Sequence, residues 1–350
     1  MVNLAVKYGN KLAEAFTKES VIKGRLSTAF DWAGAKTVRV LTALTVEMGD
    51  YNRAGANRFG NPTELQDVVQ EMPLTQDKSF ALAIDKGNNA DQYNLKEAGR
   101  IMKLQQAEKQ VPAFDKYVLD VLAHKGGTIA GNSTALTKSN IAERVVAGIA
   151  ALDNAEAPEE GRTIYIDPAK YALLRLSPEF LAADALAEKS VGKGHMGEFG
   201  GCAVVKVPAG RMPANVNFMI VHKEAAIAPE KLASAKIHKD PPGIDGNLLE
   251  GRHYYDAFVI GARAGGVYVD VNTASGGATV CAAPTLSSTT LASAGNTIAW
   301  TADGTDPRYS NTATVGTSVA SAPSGATIKA YAYKDGSFPS AVAEFTLASA

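Results

Sequence analysis

Cysteine is scarce, with Cys202 and Cys281 the only two in 350 residues. A disulfide framework needs more of them, so the composition points to folding in a reducing compartment. The five histidines (His124, His195, His222, His238 and His253) are scattered without the paired spacing of a zinc site. No stretch reaches the roughly 18 uncharged apolar residues that a membrane span requires. Lys7, Asn10, Lys11 and Glu14 interrupt the first fifteen residues, so an unbroken signal-peptide core is missing and a cytoplasmic, soluble beginning is expected. Excess charge of one sign is absent too. A formal net charge of -1 excludes a protein that grips phosphate with its whole surface, though not one with a locally basic face.

Catalytic signatures are equally thin. Gly192-Lys193-Gly194 lacks the spacing of a phosphate-binding loop and reads as a flexible turn. There is no Gly-x-Ser-x-Gly elbow and no His-Glu-x-x-His pair. His253, Tyr254, Tyr255 and Asp256 sit together, but strand alternation puts His253 and Tyr255 on one side and Tyr254 and Asp256 on the other, so packing plus a solvent-facing polar row is expected rather than a proton relay. Asp303, Asp306 and Asp335 fall in turns, which explains them without calcium. The expectation is a protein that is not an enzyme, with no cofactor and no metal.

What is present is a large core. Apolar residues make up 46% and charged residues 20%, enough for two domains or for one domain with an appendage. Residues 1–35 read as a basic amphipathic arm in which Lys7, Lys11, Lys18, Lys23 and Arg25 outnumber Glu14 and Glu19. From Lys36 to Glu47 the pattern alternates as in a half-buried strand, and Lys78–Asp85 repeats it. These two strands are expected to pair. The thirty residues between them exceed any tight hairpin and most structureless loops. Leu65, Val68, Val69 and Met72 are apolar groups that a solvated loop does not need, so the segment is expected to find its partner on another subunit, with Arg53 and Arg58 beside it.

Asn94–Ala123 carries a helical stripe in which Pro112 predicts a kink or a break. A second helix starts near Asn140, with Glu143 placed to complete a capping box. Asp167-Pro168 and Ser177-Pro178 read as caps of two short helices over 168–176 and 178–188. Strand-like runs then recur at 202–207, 216–221, 232–238, 253–261 and 266–271. The class is α+β. After Val271 charge drops; residues 272–280 have a flexible linker's composition, and 281–350 read as a small all-β sandwich with strands at 297–302, 313–319, 327–333 and 341–347.

Four stretches carry a resemblance: Met48-Gly-Asp-Tyr-Asn-Arg53 with Phe80 to Gly87; Glu108 to Tyr117; Ile166 to Leu174 with Ser177-Pro-Glu-Phe180; and Gly251 to Val259 with Gly266 to Val269. In this order, residues 1–272 resemble the major capsid proteins of tailed bacteriophages, with the Hong Kong 97-type shell fold. The resemblance implies an arm (1–35), a shell domain (36–271) with an extended loop at 36–87 that lies over a neighbour, a spine helix at 94–123, and peripheral and axial domains. It further implies hexamers and pentamers of an icosahedral shell, scaffold and portal partners, and packaged double-stranded DNA. Lys7, Lys11 and Lys18 are the candidate non-specific DNA contacts. Localisation would be the virion, after assembly in the bacterial host cytoplasm. Trp300-Thr-Ala-Asp-Gly-Thr-Asp-Pro307 is similar to a stretch of Ig-like sandwich domains found beside chitobiases, which implies a fold and at most a host-surface or glycan contact from the capsid exterior. Two other readings stand beside this one: an encapsulin-type compartment shell, and a carbohydrate-binding or adhesion protein.

Overall fold

Period-two alternation divides the central strands between two faces, and both faces are covered. The computed structural model describes residues 19–30, 32, 35–43, 48–54, 57–60, 64, 67–91, 97–177, 197–274 and 276–347. In chain order the elements are β1 (Thr37–Ala43), β2 (Asp67–Pro73), β3 (Gln76–Asp85), α1 (Lys86–Asp91), α2 (Ala98–Gln105), a π turn (Gln106–Gln110) and α3 (Val111–Lys125). Then come β4 (Thr128–Asn132), α4 (Ile141–Asn154), β5 (Arg162–Ile166), α5 (Pro168–Arg175), β6 (Glu198–Phe199), β7 (Cys202–Lys206) and β8 (Val216–His222). The body closes with β9 (Ala226–Ile227), β10 (Glu230–Lys239), β11 (Gly246–Tyr255), β12 (Phe258–Val259) and β13 (Val267–Asn272). A C-terminal unit holds β14 (Thr285–Ser287), β15 (Thr290–Ala292), β16 (Thr297–Thr301), β17 (Thr314–Val315), β18 (Thr327–Tyr333) and β19 (Ala343–Thr346).

The central mixed sheet has the order β4-β13-β8-β5-β7-β6. On one face, Tyr165, Val205, Met219, Val221, Val267 and Val269 meet Phe114, Val118, Leu119 and Leu122 of α3. On the other, Ile164, Ile166, Val204, Phe218 and Ile220 meet Ile141, Val145 and Leu152 of α4. Strands covered on both sides are buried at every position, as β5 and β8 are, mostly by apolar residues, with Arg162, Thr163, Asn217 and His222 the polar exceptions. Helix α4 comes close enough that Gly148 faces the Tyr268 ring and Ile220 directly; a Cβ there would lie 2.8–2.9 Å from both.

A second sheet, β10-β11-β3, packs Ile84 and Leu249 against Met102 of α2. This corrects the expected pairing of the first two strands. β3 pairs with β11 from Gln76↔Tyr255 to Asp85↔Gly246, and β1 pairs instead with β2. Alternation alone identifies a strand but not its partner, and the extended stretch before Met72 supplied a nearer one. The α-helical ladder is interrupted just before Pro112, which falls in the first turn of α3. The turn before it widens to a π turn, so that Val111 N–H bonds Gln106 O, five residues back, and the ring's clash is absorbed. Asp167 caps α5 as expected, accepting from Lys170 N at 2.9 Å. Asn140 does not cap α4 in that way; its side chain accepts from Thr137 N and donates to Ala135 O, tying down the preceding loop. The expected helix over 178–188 lies outside the described residues.

The C-terminal unit is a four-stranded antiparallel sheet, β17-β16-β18-β19, with a β14-β15 hairpin. Leu291, Ile298, Trp300, Val319, Ile328, Ala330 and Ala332 form its core. Strand β18 has the bounds read from the sequence, whereas the run at 313–319 shortens to Thr314–Val315. Cys202 and Cys281 are free and buried in different cores.

Candidate intersubunit interface

The two-stranded β1–β2 ribbon runs in register from Thr37↔Pro73 to Ala43↔Asp67. Its root is packed. Val40, Met72 and Leu74 join Trp32, Ile227 and Ile260 in one cluster, and Trp32 Nε1 donates to Met72 O at 3.3 Å. Gln70 reaches across to the body: its Nε2 donates to Val259 O and its Oε1 accepts from Gly261 N, both at 2.8 Å. Asp256, 3% exposed, is the hub beneath. Its carboxylate accepts from Thr75 N (2.7 Å), Thr75 Oγ1 (2.8 Å), Tyr117 Oη (2.7 Å) and Ala257 N (2.8 Å). Burial, then the bond to Asp256, pushes the Tyr117 hydroxyl up to about 12. The expected solvent-facing polar row is therefore wrong: Asp256 is buried, and Tyr254 Oη donates to Leu74 O.

The far end of the ribbon is the opposite. Leu41 is 66% exposed, Met48 99% and Phe59 93%. Tyr51 and Phe59 meet edge-to-face at 5.0 Å, over a turn in which Asn52 N donates to Arg58 O. Arg53 and Arg58 are exposed beside these rings. Beyond its packed root, the ribbon thus leaves the large apolar side chains Leu41, Met48 and Phe59 in water.

Of the residues the sequence pointed to, Val68 and Val69 lie half-buried on β2. Met72 is a correction: it is fully buried in its own chain's cluster and offers nothing to a neighbour. Leu65, Lys7, Lys11 and Lys18 lie outside the described residues. The described part of the arm is anchored, since Asp115 accepts from Ser20 Oγ (2.6 Å), Val21 N (3.0 Å) and Arg211 Nη1 (2.8 Å). Sequence reasoning missed Gln70, Thr75 and Tyr117, whose partners are remote in the chain. It also missed Met48, Tyr51 and Phe59, whose apolar character within a Gly/Asn-rich stretch was the available signal. Among the described residues no group of three His, Cys, Asp or Glu could hold a metal, and no helix is long and apolar enough to cross a membrane.

No family model and no curated protein matches the sequence. Solved structures do match. A structure of Mycobacterium phage Che8 superposes with a TM-score of 0.64 at 18% identity, covering 77% of this chain and 97% of that one. The capsid of cyanophage P-SCSP1u gives 0.60 at 13%, covering 78% and 94%. The mature capsid of bacteriophage PhiM1 also gives 0.60 at 13%, covering 78% and 92%. The fold is that of phage capsid subunits. Almost the whole length of each matched capsid chain finds a counterpart here, while about a fifth of this chain has none in them.

Proposed function

We propose that the chain is a shell-forming capsid subunit whose partner is a second copy of itself. The observation that carries this reading is the ribbon of the capsid fold, hydrogen-bonded and packed at its root yet apolar and bare at its tip. Met48 and Phe59 stay in water in the single chain; burying each contributes about 1.5–3 kcal/mol, and a closed shell repeats that contact around every subunit. The role is structural, with no catalytic step. In this reading residues 36–271 form the shell, 272–280 connect, and 281–350 are an Ig-like unit on the outer surface. Val68, Val69, Arg53 and Arg58 belong to the contact with the neighbour. The arm lysines Lys7, Lys11 and Lys18 meet packaged double-stranded DNA electrostatically, and scaffold and portal proteins take part in assembly in the host.

Because Ala43 and Asp67 end the ribbon's register, they can be joined by a two-residue Asn-Gly turn in place of residues 44–66. This shortened chain should remain folded and soluble and form no closed particles, whereas the full chain gives megadalton particles in sedimentation velocity and electron micrographs. Closed particles from the shortened chain would overturn the reading. Nucleic acid inside full-length particles favours a capsid, and an enclosed enzyme favours an encapsulin-type compartment.

A further inference from the structure

The Asp306–Asn311 turn of the C-terminal unit does not face away from the body. Arg308 Nη1 donates to Gly126 O (3.0 Å) and Gly127 O (2.9 Å), and Tyr309 Oη donates to Lys125 O. A helix leaves its last carbonyls unpaired, and Gly126 follows α3 in an extended conformation rather than a left-handed cap. Carbonyls at and just beyond that helix end are thus closed from 180 residues away, by a cation suited to the negative end of the helix dipole. Asp306 holds the guanidinium from behind at 2.7 Å. Tyr309 and Phe338 are buried in the core that α3 shares with the central sheet, and Phe338 stacks on His124 at 4.4 Å and 4°. The Tyr309 ring rests on Gly261, where an added Cβ would lie 2.7 Å from Tyr309 Cβ. On the far side of the turn, Asn311 N donates to Val69 O of β2 at 3.3 Å. The connector is tied as well: Thr273 N to Asn132 O, Ala278 N to Asn272 O, and Phe338 N to Thr279 O.

We propose that the C-terminal unit is an internal brace, whose Arg308–Tyr309 plug caps α3 and fixes the root of the β1–β2 ribbon against the body. This goes beyond the shell reading and does not depend on it, because every contact lies within one chain. A module that is only displayed would need nothing more than its connector.

Hydrogen exchange on the purified full-length chain, compared with Arg308→Met/Tyr309→Phe, tests the brace. The substitutions keep the buried volume and remove the donors. Exchange in the last turn of α3 (121–127) and along β2 (67–73) should quicken about tenfold or more, while β16 and β18 keep their rates. Unchanged exchange at both places overturns the proposal. If β16 and β18 also loosen, Gly261→Ala decides, since its added methyl pushes on Tyr309 from the body side and leaves the unit's own residues unchanged. Quickening at 121–127 in that variant supports the brace, and its absence overturns it; 67–73 is not read there, because Gly261 N also bonds Gln70 of β2. Failure of the shell reading would show separately, as a wild-type chain that forms no particles.

Discussion

Replacing Asp256 by Ala removes the acceptor for four donors, Thr75 N, Thr75 Oγ1, Tyr117 Oη and Ala257 N. Hydrogen bonds to a charged group contribute about 1.5–3 kcal/mol each, but deleting the carboxylate also relieves its own burial, which costs several kcal/mol. The Tyr117 ring is only partly buried, so its hydroxyl can turn to water. Ala257 N–H, in a residue only 3% exposed, is the donor left with least recourse. The balance comes to a loss of about 2–4 kcal/mol for Asp256→Ala and about 1–2 kcal/mol for Tyr117→Phe, which removes one of these bonds and keeps the rest. Chemical denaturation followed by Trp32 fluorescence reads the effect locally. Trp32 stacks on Phe258 at 6.0 Å and donates to Met72 O at the same root. A Trp300→Phe background silences the second tryptophan and removes an indole N–H that has no acceptor in its core. A loss below about 0.5 kcal/mol for Asp256→Ala, the level of an ordinary surface change, would refute the view that this carboxylate holds the root.

The same glycine substitution should act with opposite signs at two helical positions. Gly148→Ala drives a methyl into Tyr268 and Ile220 and should cost about 1–3 kcal/mol, while Gly99→Ala meets nothing within 4 Å and should stabilise by about 0.4–1 kcal/mol in the same denaturation assay. Tyr51→Ser with Phe59→Ser should leave the denaturation midpoint of the single chain within about 0.5 kcal/mol of wild type and sharply reduce the yield of closed particles in sedimentation velocity. Glu230 accepts from His253 at 2.8 Å, and that bond holds its carboxyl below the ordinary value of 4.5 against the opposing effect of burial. A depressed carboxylate stabilises the fold above its ordinary range and loses that contribution as pH falls through its lowered value. The stability of Glu230→Gln should therefore fall less steeply than wild type between about pH 5 and pH 3.

Local pattern was enough where an element's surroundings repeat along it. β18 was readable residue for residue because Ile328, Ala330 and Ala332 all enter one core. The long helix was readable because its apolar stripe is buried along its length, Met102 against the β10-β11-β3 sheet and Phe114, Val118 and Leu122 against the central sheet, and Asp167 because its partner is three residues away. The ribbon's pairing was not readable: three nearby segments can all be extended, and only the fold decides that Val40 lies opposite Gln70. Asp256 defeated strand alternation for a similar reason. Thr75 and Tyr117, which turn a surface carboxylate into a buried one, lie 181 and 139 residues away in sequence. The Asp303–Pro307 stretch was legible as a turn, but not as the preface to a plug, because the carbonyls that Arg308 and Tyr309 close belong to the end of α3 and the two glycines after it, 181–184 residues earlier.

If the ribbon reaches a neighbouring subunit as proposed, root and tip solve different problems with different chemistry. An exposed apolar tip gains from burial in proportion to area, and without direction. Left on a loose chain, such a tip would fold back on its own body or attach indiscriminately to other surfaces. Direction has to come from the root, where hydrogen bonds of fixed geometry tie Gln70 to Val259 and Gly261, and Thr75 to Asp256. Asn311 adds a bond to β2 from the C-terminal unit, next to the residue that Gln70 occupies. The gain at the tip then goes only to a neighbour standing where the root aims it, which is the condition for a closed surface rather than an aggregate.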